Sequence, residues 1–246
     1  MKSGMDRQPN SLRKMIRRDD WMSGFYQKDW FKIENPEDVN NVPENCIVEC
    51  TKDSSDFESL EKLWDLGFRM VETSVEFKTI ITPKENIETN RFREVNPGDL
   101  EKVLSITREC YSRKSKFKNR FSNRRFFTEE QENLYFESAV NNYIFKENCI
   151  SIVGEKEGKV DCFYIAMKTG DKINGMDVFK GILTGVKKES RGRNLHIKMQ
   201  DYLAKIIGKP YVVINRTQLN NYRVINNHIK EKRELDKVEH YFYLSK

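Results

Sequence analysis

GILTGVKKESRGRNLHIKMQ, residues 181–200, runs from a strand-like segment through an Arg-Gly turn into an amphipathic helix. Residues 181–186 alternate as a strand does, while Leu195, Met199, Leu203 and Ile206 recur at spacings of three and four, as on one helix face. The turn therefore delivers the chain to a helix N-terminus. There the first backbone N–H groups have no intrahelical partner, and the positive end of the macrodipole favours a negative charge. Strand, glycine-bearing turn and helix in that order suit a phosphate or a pyrophosphate.

The flanking segments extend the alternation of strand and helix. FREVNPGDLEKVLSITRECY (92–111) reads as a short strand, a turn at Asn96-Pro97-Gly98 and a helix capped by Asp99, with Leu100, Val103, Leu104 and Ile106 facing inward. A second helix is expected around Glu129–Phe145. ENLYFES (132–138) inside it resembles an engineered protease site, but Glu137 replaces the required glutamine, so it is read as native helix. CISIVGEKEGKVDCFYIAMKT (149–169) has the pattern of a hairpin. After residue 200 come a strand at Tyr211–Asn215, a helix from about Asn221 and a closing strand at Val238–Leu244. A polar connector at Ile81–Asn86 separates a smaller N-terminal unit, giving expected domains of 1–85 and 86–246.

A repeat at constant offset links the two parts. Phe57, Leu60 and Trp64, then Val75 and Phe77, match Tyr222, Ile225 and Ile229, then His240 and Phe242. Short apolar strands, Cys46–Cys50 and Tyr211–Asn215, precede both copies, so strand, helix, strand occurs twice.

Composition narrows the class. A chain of 246 residues with 37% hydrophobic residues can build a real core, and no apolar run approaches the roughly 20 residues of a membrane span. The charged N-terminus lacks the apolar centre of a signal peptide, so cytoplasmic residence without membrane association is the default expectation. Cys46, Cys50, Cys110, Cys149 and Cys162 form an odd set without CxxC spacing. His196, His228 and His240 lack the spacing of HExxH. Neither a disulfide framework nor a metal centre is expected. The net charge of +6 is concentrated at Arg113, Lys114, Lys116, Lys118, Arg120, Arg124 and Arg125, which points to an anionic ligand or a solvated loop. Phe117 and Phe121 are interleaved with it. A nucleic-acid partner is not expected, since the charge is confined to one loop without an accompanying RNA- or DNA-binding pattern.

The order of elements across residues 91–246, with RGRNLH at the turn, resembles the GNAT superfamily of acyl-CoA-dependent N-acyltransferases. That family reads R/Q-x-x-G-x-G/A there. Arg191 and Gly192 are kept, whereas Asn194 and His196 stand at the two small positions. Asparagine tolerates left-handed backbone best among non-glycine residues, so His196 is the larger departure. DLGFRMVETSVEF (65–77), NLYFESAVNNYIF (133–145) and VEHYFYL (238–244) extend the likeness toward the branch that acetylates TDP-linked 4-amino-4,6-dideoxyhexoses for surface polysaccharide.

The resemblance implies an α/β fold with a mixed central sheet flanked by helices, and a smaller N-terminal α/β domain like a truncated half of the same fold. It implies acetyl-CoA as cosubstrate, held by the backbone of Thr184, Gly185 and Val186 and by the N–H groups of Arg191, Gly192, Arg193, Asn194, Leu195 and His196. Lys187 and Lys188 add charge, and Asn221 is expected on the CoA arm or as a helix cap. His228 stands where the family places a tyrosine that protonates the leaving thiolate, a role a histidine can fill near neutrality. Arg113, Lys116, Phe117, Lys118, Arg120 and Phe121 are the expected contacts to the diphosphate and base of a nucleotide-linked amino sugar. Glu129, Glu130, Glu137, Tyr111 and Ser112 are candidates for a general base. An amino acid, peptide or small amine as acceptor, and a non-catalytic CoA- or nucleic-acid-binding relative, remain alternatives. Oligomeric state is open, a homodimer included.

Overall fold

The computed structural model describes residues 16–85, 90–111 and 119–246. In chain order these form β1 (Ile16–Arg18), α1 (Asp20–Tyr26), β2 (Trp30–Ile33), β3 (Ile47–Asp53), α2 (Phe57–Asp65), β4 (Arg69–Ile81), β5 (Phe92–Glu94), α3 (Leu100–Tyr111), α4 (Glu129–Tyr143), β6 (Cys149–Lys156), β7 (Lys159–Ile173), β8 (Met176–Val186), α5 (Leu195–Ile207), β9 (Tyr211–Gln218), α6 (Tyr222–Lys230) and β10 (Glu234–Ser245). Elements expected on both sides of residue 181 are present, including α4 through the ENLYFES segment.

Two compact units result, but not the two expected. One takes the described residues up to Thr73 together with Val238–Lys246, and the other is Ser74–Lys237. These units divide the chain at Thr73/Ser74 and Lys237/Val238, away from 85/86, for a physical reason. From Ser74 to Ile81, β4 is paired antiparallel with β9, while from Glu239 to Ser245 β10 is paired antiparallel with β3. The hydrogen-bonded ladders, rather than the proline-bearing connector, decide which residues belong together.

The repeat explains this exchange. Phe77 pairs with Asn215 in one unit and Phe242 pairs with Cys50 in the other. Shifting each pair by the repeat offset turns it into the other, so each copy's closing strand completes the other copy's sheet. The helix ends match as well. Gly67 and Lys232 both have positive φ, at 82° and 55°. Leu66 and Glu231 cap their helices with nearly the same backbone angles, φ −78°, ψ 2° and φ −77°, ψ 3°.

In the first unit, β1, β2, β3 and β10 lie side by side over a core that includes Val48, Cys50, Leu63, Phe68 and Phe242. The second unit has the strand order β4-β9-β8-β7-β6-β5. Alternation along β7 serves both faces of this sheet. Cys162, Tyr164 and Ala166 join Leu195, Met199 and Leu203 of α5, and Phe163 and Ile165 join Val103 and Ile106 of α3 and Val140 of α4. Of the α5 positions expected from their helical spacing, Leu195, Met199 and Leu203 are buried and Ile206 is half-buried, while Gln200, Asp201 and Ala204 are buried as well.

Candidate functional site

The site begins where two parallel strands part. β8 and β9 are paired from Val178 with Val212 to Gly181 with Asn215. Beyond that point β9 stays with β4 to Gln218, and β8 stays with β7 to Val186. A bulge prepares the divergence: Ile165 faces Leu183 and Ala166 faces Gly181, which leaves Ile182 as an extra residue in β8. The fork opens immediately after it. Asn215 lies over Gly181, with the Tyr164 hydroxyl alongside, and its Nδ2 is buried without a hydrogen-bond partner.

Past the fork, one edge of β8 faces β7 and the other does not face β9. The Thr184 carbonyl accepts from the Tyr111 hydroxyl at 2.7 Å, and the Val186 carbonyl accepts from Arg191 Nε at 3.0 Å and the Cys110 thiol at 3.4 Å. In an antiparallel ladder the N–H and C=O of one residue point the same way, so the N–H groups of Thr184 and Val186 face the fork too. Gly185 is the intervening residue. A Cβ there would collide with the Phe163 ring and meet Ile106.

The turn follows directly, held from beneath. Lys187 N–H donates to the Asp161 carbonyl at 2.9 Å. The buried Ser190 hydroxyl bonds the Asp161 carboxylate, which also pairs with Arg91 Nη2 at 2.5 Å. Above this anchor Lys188, Glu189 and Arg191–Asn194 are exposed. Gly192 and Asn194 both adopt left-handed backbone, with φ of 81° and 54°, as asparagine at the first of the two small positions permits. Asn194 caps α5 without a side-chain hydrogen bond, leaving the helix's first N–H groups turned outward. The Glu109 carboxylate accepts from Lys188 N–H at 2.7 Å and lies 3.6 Å from Arg191 Nη2, so an anion already touches this turn.

His196 does not crowd the loop. Its Nε2 is 2.7 Å from Glu231 Oε1, which draws the ring away toward the end of α6. Glu231 Oε2 accepts from Arg233 Nε at 2.6 Å, Arg233 Nη2 donates to Gln200 Oε1 at 2.7 Å, and Gln200 Nε2 reaches the Tyr164 hydroxyl at 3.4 Å. A continuous polar chain thus runs from the first turn of α5 to the base of the fork. These partners hold the Glu231 carboxyl far below the usual carboxylate range despite its burial.

His228 belongs to this cluster. Its side chain is buried, packs on Phe77 at 4.9 Å between ring centres, and has Nδ1 3.8 Å from Glu231 Oε2. Burial lowers its proton affinity, with Glu231 opposing the shift. The residue expected to protonate the leaving thiolate is thus held inside the cluster, where desolvation disfavours its charged form. The repeat carries the missed signal, since position 228 matches the buried Leu63.

Phe121 is buried, stacked on Tyr135 at 3.5 Å and edge-on to Phe127, so its ring is core and not a platform for a base. Arg120 lies 5.0 Å from that ring. Arg113, Lys116, Phe117 and Lys118, and the candidate base Ser112, lie outside the described residues. The Tyr111 hydroxyl donates to the Thr184 carbonyl, and burial raises its pKa. Glu137 pairs with Arg108 at 2.8 Å. Asn221 stands at the entry to α6, accepting backbone bonds from Val224 and Ile225 without a side-chain cap. Among the described residues, no group of three or more His, Cys, Asp or Glu converges to hold a metal ion, and no helix is long and apolar enough to cross a membrane.

No family model matches the sequence, and no curated protein matches it. Solved structures do. A conserved protein of unknown function from Staphylococcus epidermidis superposes with a TM-score of 0.60 at 10% identity, over 93% of this chain and 91% of that one. A protein from Novosphingobium aromaticivorans assigned to the GNAT family of acetyltransferases gives 0.51 at 9% identity, over 94% and 88%. Saccharomyces cerevisiae N-myristoyltransferase with bound myristoyl-CoA gives 0.53 at 12% identity, over 81% of this chain and 54% of that one. At such identities the likeness is one of fold: the chain has the mixed α/β GNAT fold.

Proposed function

We propose that this protein is an acyl-CoA-dependent N-acyltransferase. One observation carries the reading: the forked edge of β8 leads, without interruption, into a turn with two left-handed residues and an uncapped helix N-terminus. An extended arm can accept from the N–H groups of Thr184 and Val186 along this edge, as an added strand would. A diphosphate at its far end can meet the N–H groups of Arg191–His196, with Lys187, Lys188 and Arg193 nearby. From Val186 to Gly181 is roughly 16 Å of strand at ~3.3 Å per residue, so the thioester end of the arm falls at the fork. The amine nitrogen then attacks the thioester carbonyl, the C–S bond breaks, and the amine's proton passes to solvent as the thiolate leaves. Holding both reactants in register supplies much of the rate in such a scheme.

Acetyl is the acyl group put forward, and a nucleotide-linked amino sugar, of the TDP-4-amino-4,6-dideoxyhexose type, is the acceptor. The acceptor rests on the basic segment Arg113–Arg125 and on the likeness of sequence segments, not on Phe121, whose ring is buried. Calorimetric titration with acetyl-CoA followed by thiol release over a panel of TDP-amino sugars, amino acids and peptides tests both levels. Absence of binding at high micromolar acetyl-CoA would remove the enzyme reading. Binding with turnover only on amino acids or peptides would replace the acceptor and leave the cofactor in place.

A further inference from the structure

The two copies of the repeat form a natural control. At the end of α2, Leu63 and Phe68 are buried and Leu66 packs against the same apolar core. The equivalent positions at the end of α6 are His228, Glu231 and Arg233, with His228 4% and Arg233 7% exposed. Backbone geometry is conserved through the exchange: the Phe68 and Arg233 N–H groups donate to the Leu63 and His228 carbonyls, both at 3.0 Å. The fold therefore forms this helix end from apolar side chains alone in one copy.

Placing the Glu231–Arg233 ion pair and His228 at this helix end in the other copy is not explained by stability, because well-packed apolar residues in place of buried ion pairs are often neutral or stabilising. The cluster even leaves His228 Nδ1 and Arg233 Nη1 buried without a hydrogen-bond partner. Its contacts show what it grips. Glu231 takes His196, in the first turn of α5, and Arg233 takes Gln200, one turn further along the same helix. Both holds are on the helix whose N-terminus forms the anion seat.

We propose that Glu231 is a positioning residue for the cofactor, acting through His196, with Arg233 as the second hold on α5. The proposal rests on the acyl-CoA reading of the turn. By drawing the imidazole to itself, Glu231 holds it away from the exposed turn at Arg191–Asn194 and fixes the direction of the first N–H groups of α5. Arg233 stops α5 from turning about its axis when the diphosphate pulls on its end.

The test transplants the first copy's residues into the second as His228→Leu, Glu231→Leu and Arg233→Phe together, with Glu231→Leu and Glu231→Gln as single variants. CoA affinity by calorimetry, KM and kcat for acetyl-CoA, and thermal stability are measured on each. The triple variant is expected to remain folded with an unchanged or higher melting temperature and to bind CoA at least tenfold more weakly. KM should rise with kcat held. Glu231→Leu should weaken binding similarly, while Glu231→Gln, which still offers His196 an acceptor, should stay within about threefold of the parent. Equal CoA affinity in Glu231→Leu and the parent overturns the proposal, as does equal loss in the Leu and Gln variants, whether or not the triple variant folds. A parent protein that binds no CoA overturns the acyl-CoA reading itself, a distinct result.

Discussion

His228 stands in the second copy of the repeat where Leu63 stands in the first, each accepting through its carbonyl from the residue that ends the following turn. A leucine there is indifferent to pH, and an imidazole is not.

Acid stability should follow from this exchange. Burial lowers the proton affinity of His228 in the folded chain, so as pH falls the unfolded chain takes up the proton first. Stability is complete above the free-histidine range, near about 6.5, and declines below it. Glu231 acts in the same direction at lower pH: its carboxyl is depressed by its partners, so its contribution is present above the ordinary carboxylate range and is lost as acid protonates it. Thermal melts between pH 7 and pH 5 should show a falling midpoint, and His228→Leu should flatten that fall. Parallel pH profiles for the two proteins would mean that another group carries the effect.

Gly185 should not tolerate a methyl group. Its Cβ would enter the Phe163 ring and approach Ile106, and both are fully packed in the core beneath α3. Overpacking of this kind costs about 1–3 kcal/mol. Urea unfolding of Gly185→Ala should show a loss of that size with an unchanged slope. A loss below about 0.5 kcal/mol would show that the ring moves aside freely.

Much of this is legible in the sequence. The spacing of Leu195, Met199 and Leu203 identified the buried face of α5, and Asn194 was recognisable as the non-glycine residue able to turn left-handed before it. The repeat was readable from a few matched apolar positions, yet its main consequence was not, because strand exchange depends on pairing register and no local pattern records which copy a closing strand joins. The same limit hid the cluster around Glu231. His196 and Glu231 are far apart in sequence, and an exposed helical histidine and a buried one share the same neighbours in the chain. Phe121 escapes the sequence for a related reason: an aromatic residue among arginines and lysines has the pattern of a binding loop, and only the fold stacks Tyr135 against its ring.

Asn194 should accept glycine and resist alanine. At φ 54° a Cβ is strained unless the side chain is asparagine-like, and the cost of alanine in left-handed backbone is about 1–2 kcal/mol. Asn194→Ala should lower the unfolding free energy by about 1 kcal/mol, whereas Asn194→Gly should stay near the parent. Equal stability of the two variants would show that the turn relaxes out of its left-handed form.

Ser190 should link stability to cofactor affinity through a single hydroxyl. It is buried and bonded to the Asp161 carboxylate, whose other oxygen has no hydrogen-bond partner, and Arg91 supplies the compensating charge. Removing the hydroxyl takes a donor from a buried anion, a change that costs about 1–3 kcal/mol. The effect should not stop at stability. Among the described residues Lys187 and Ser190 both tie the turn to Asp161 of β7, so Ser190→Ala should loosen the segment whose exposed N–H groups are proposed to hold the diphosphate, while the fork at Gly181 and Asn215 keeps its own pairing. Affinity for CoA should therefore fall more than affinity for pantetheine, which lacks the 3′-phosphoadenosine diphosphate portion. Titration of both ligands into Ser190→Ala and the parent makes the comparison. A proportional loss for the two would place the damage in the fork, and an unchanged CoA affinity would show that the turn holds its shape without its anchor.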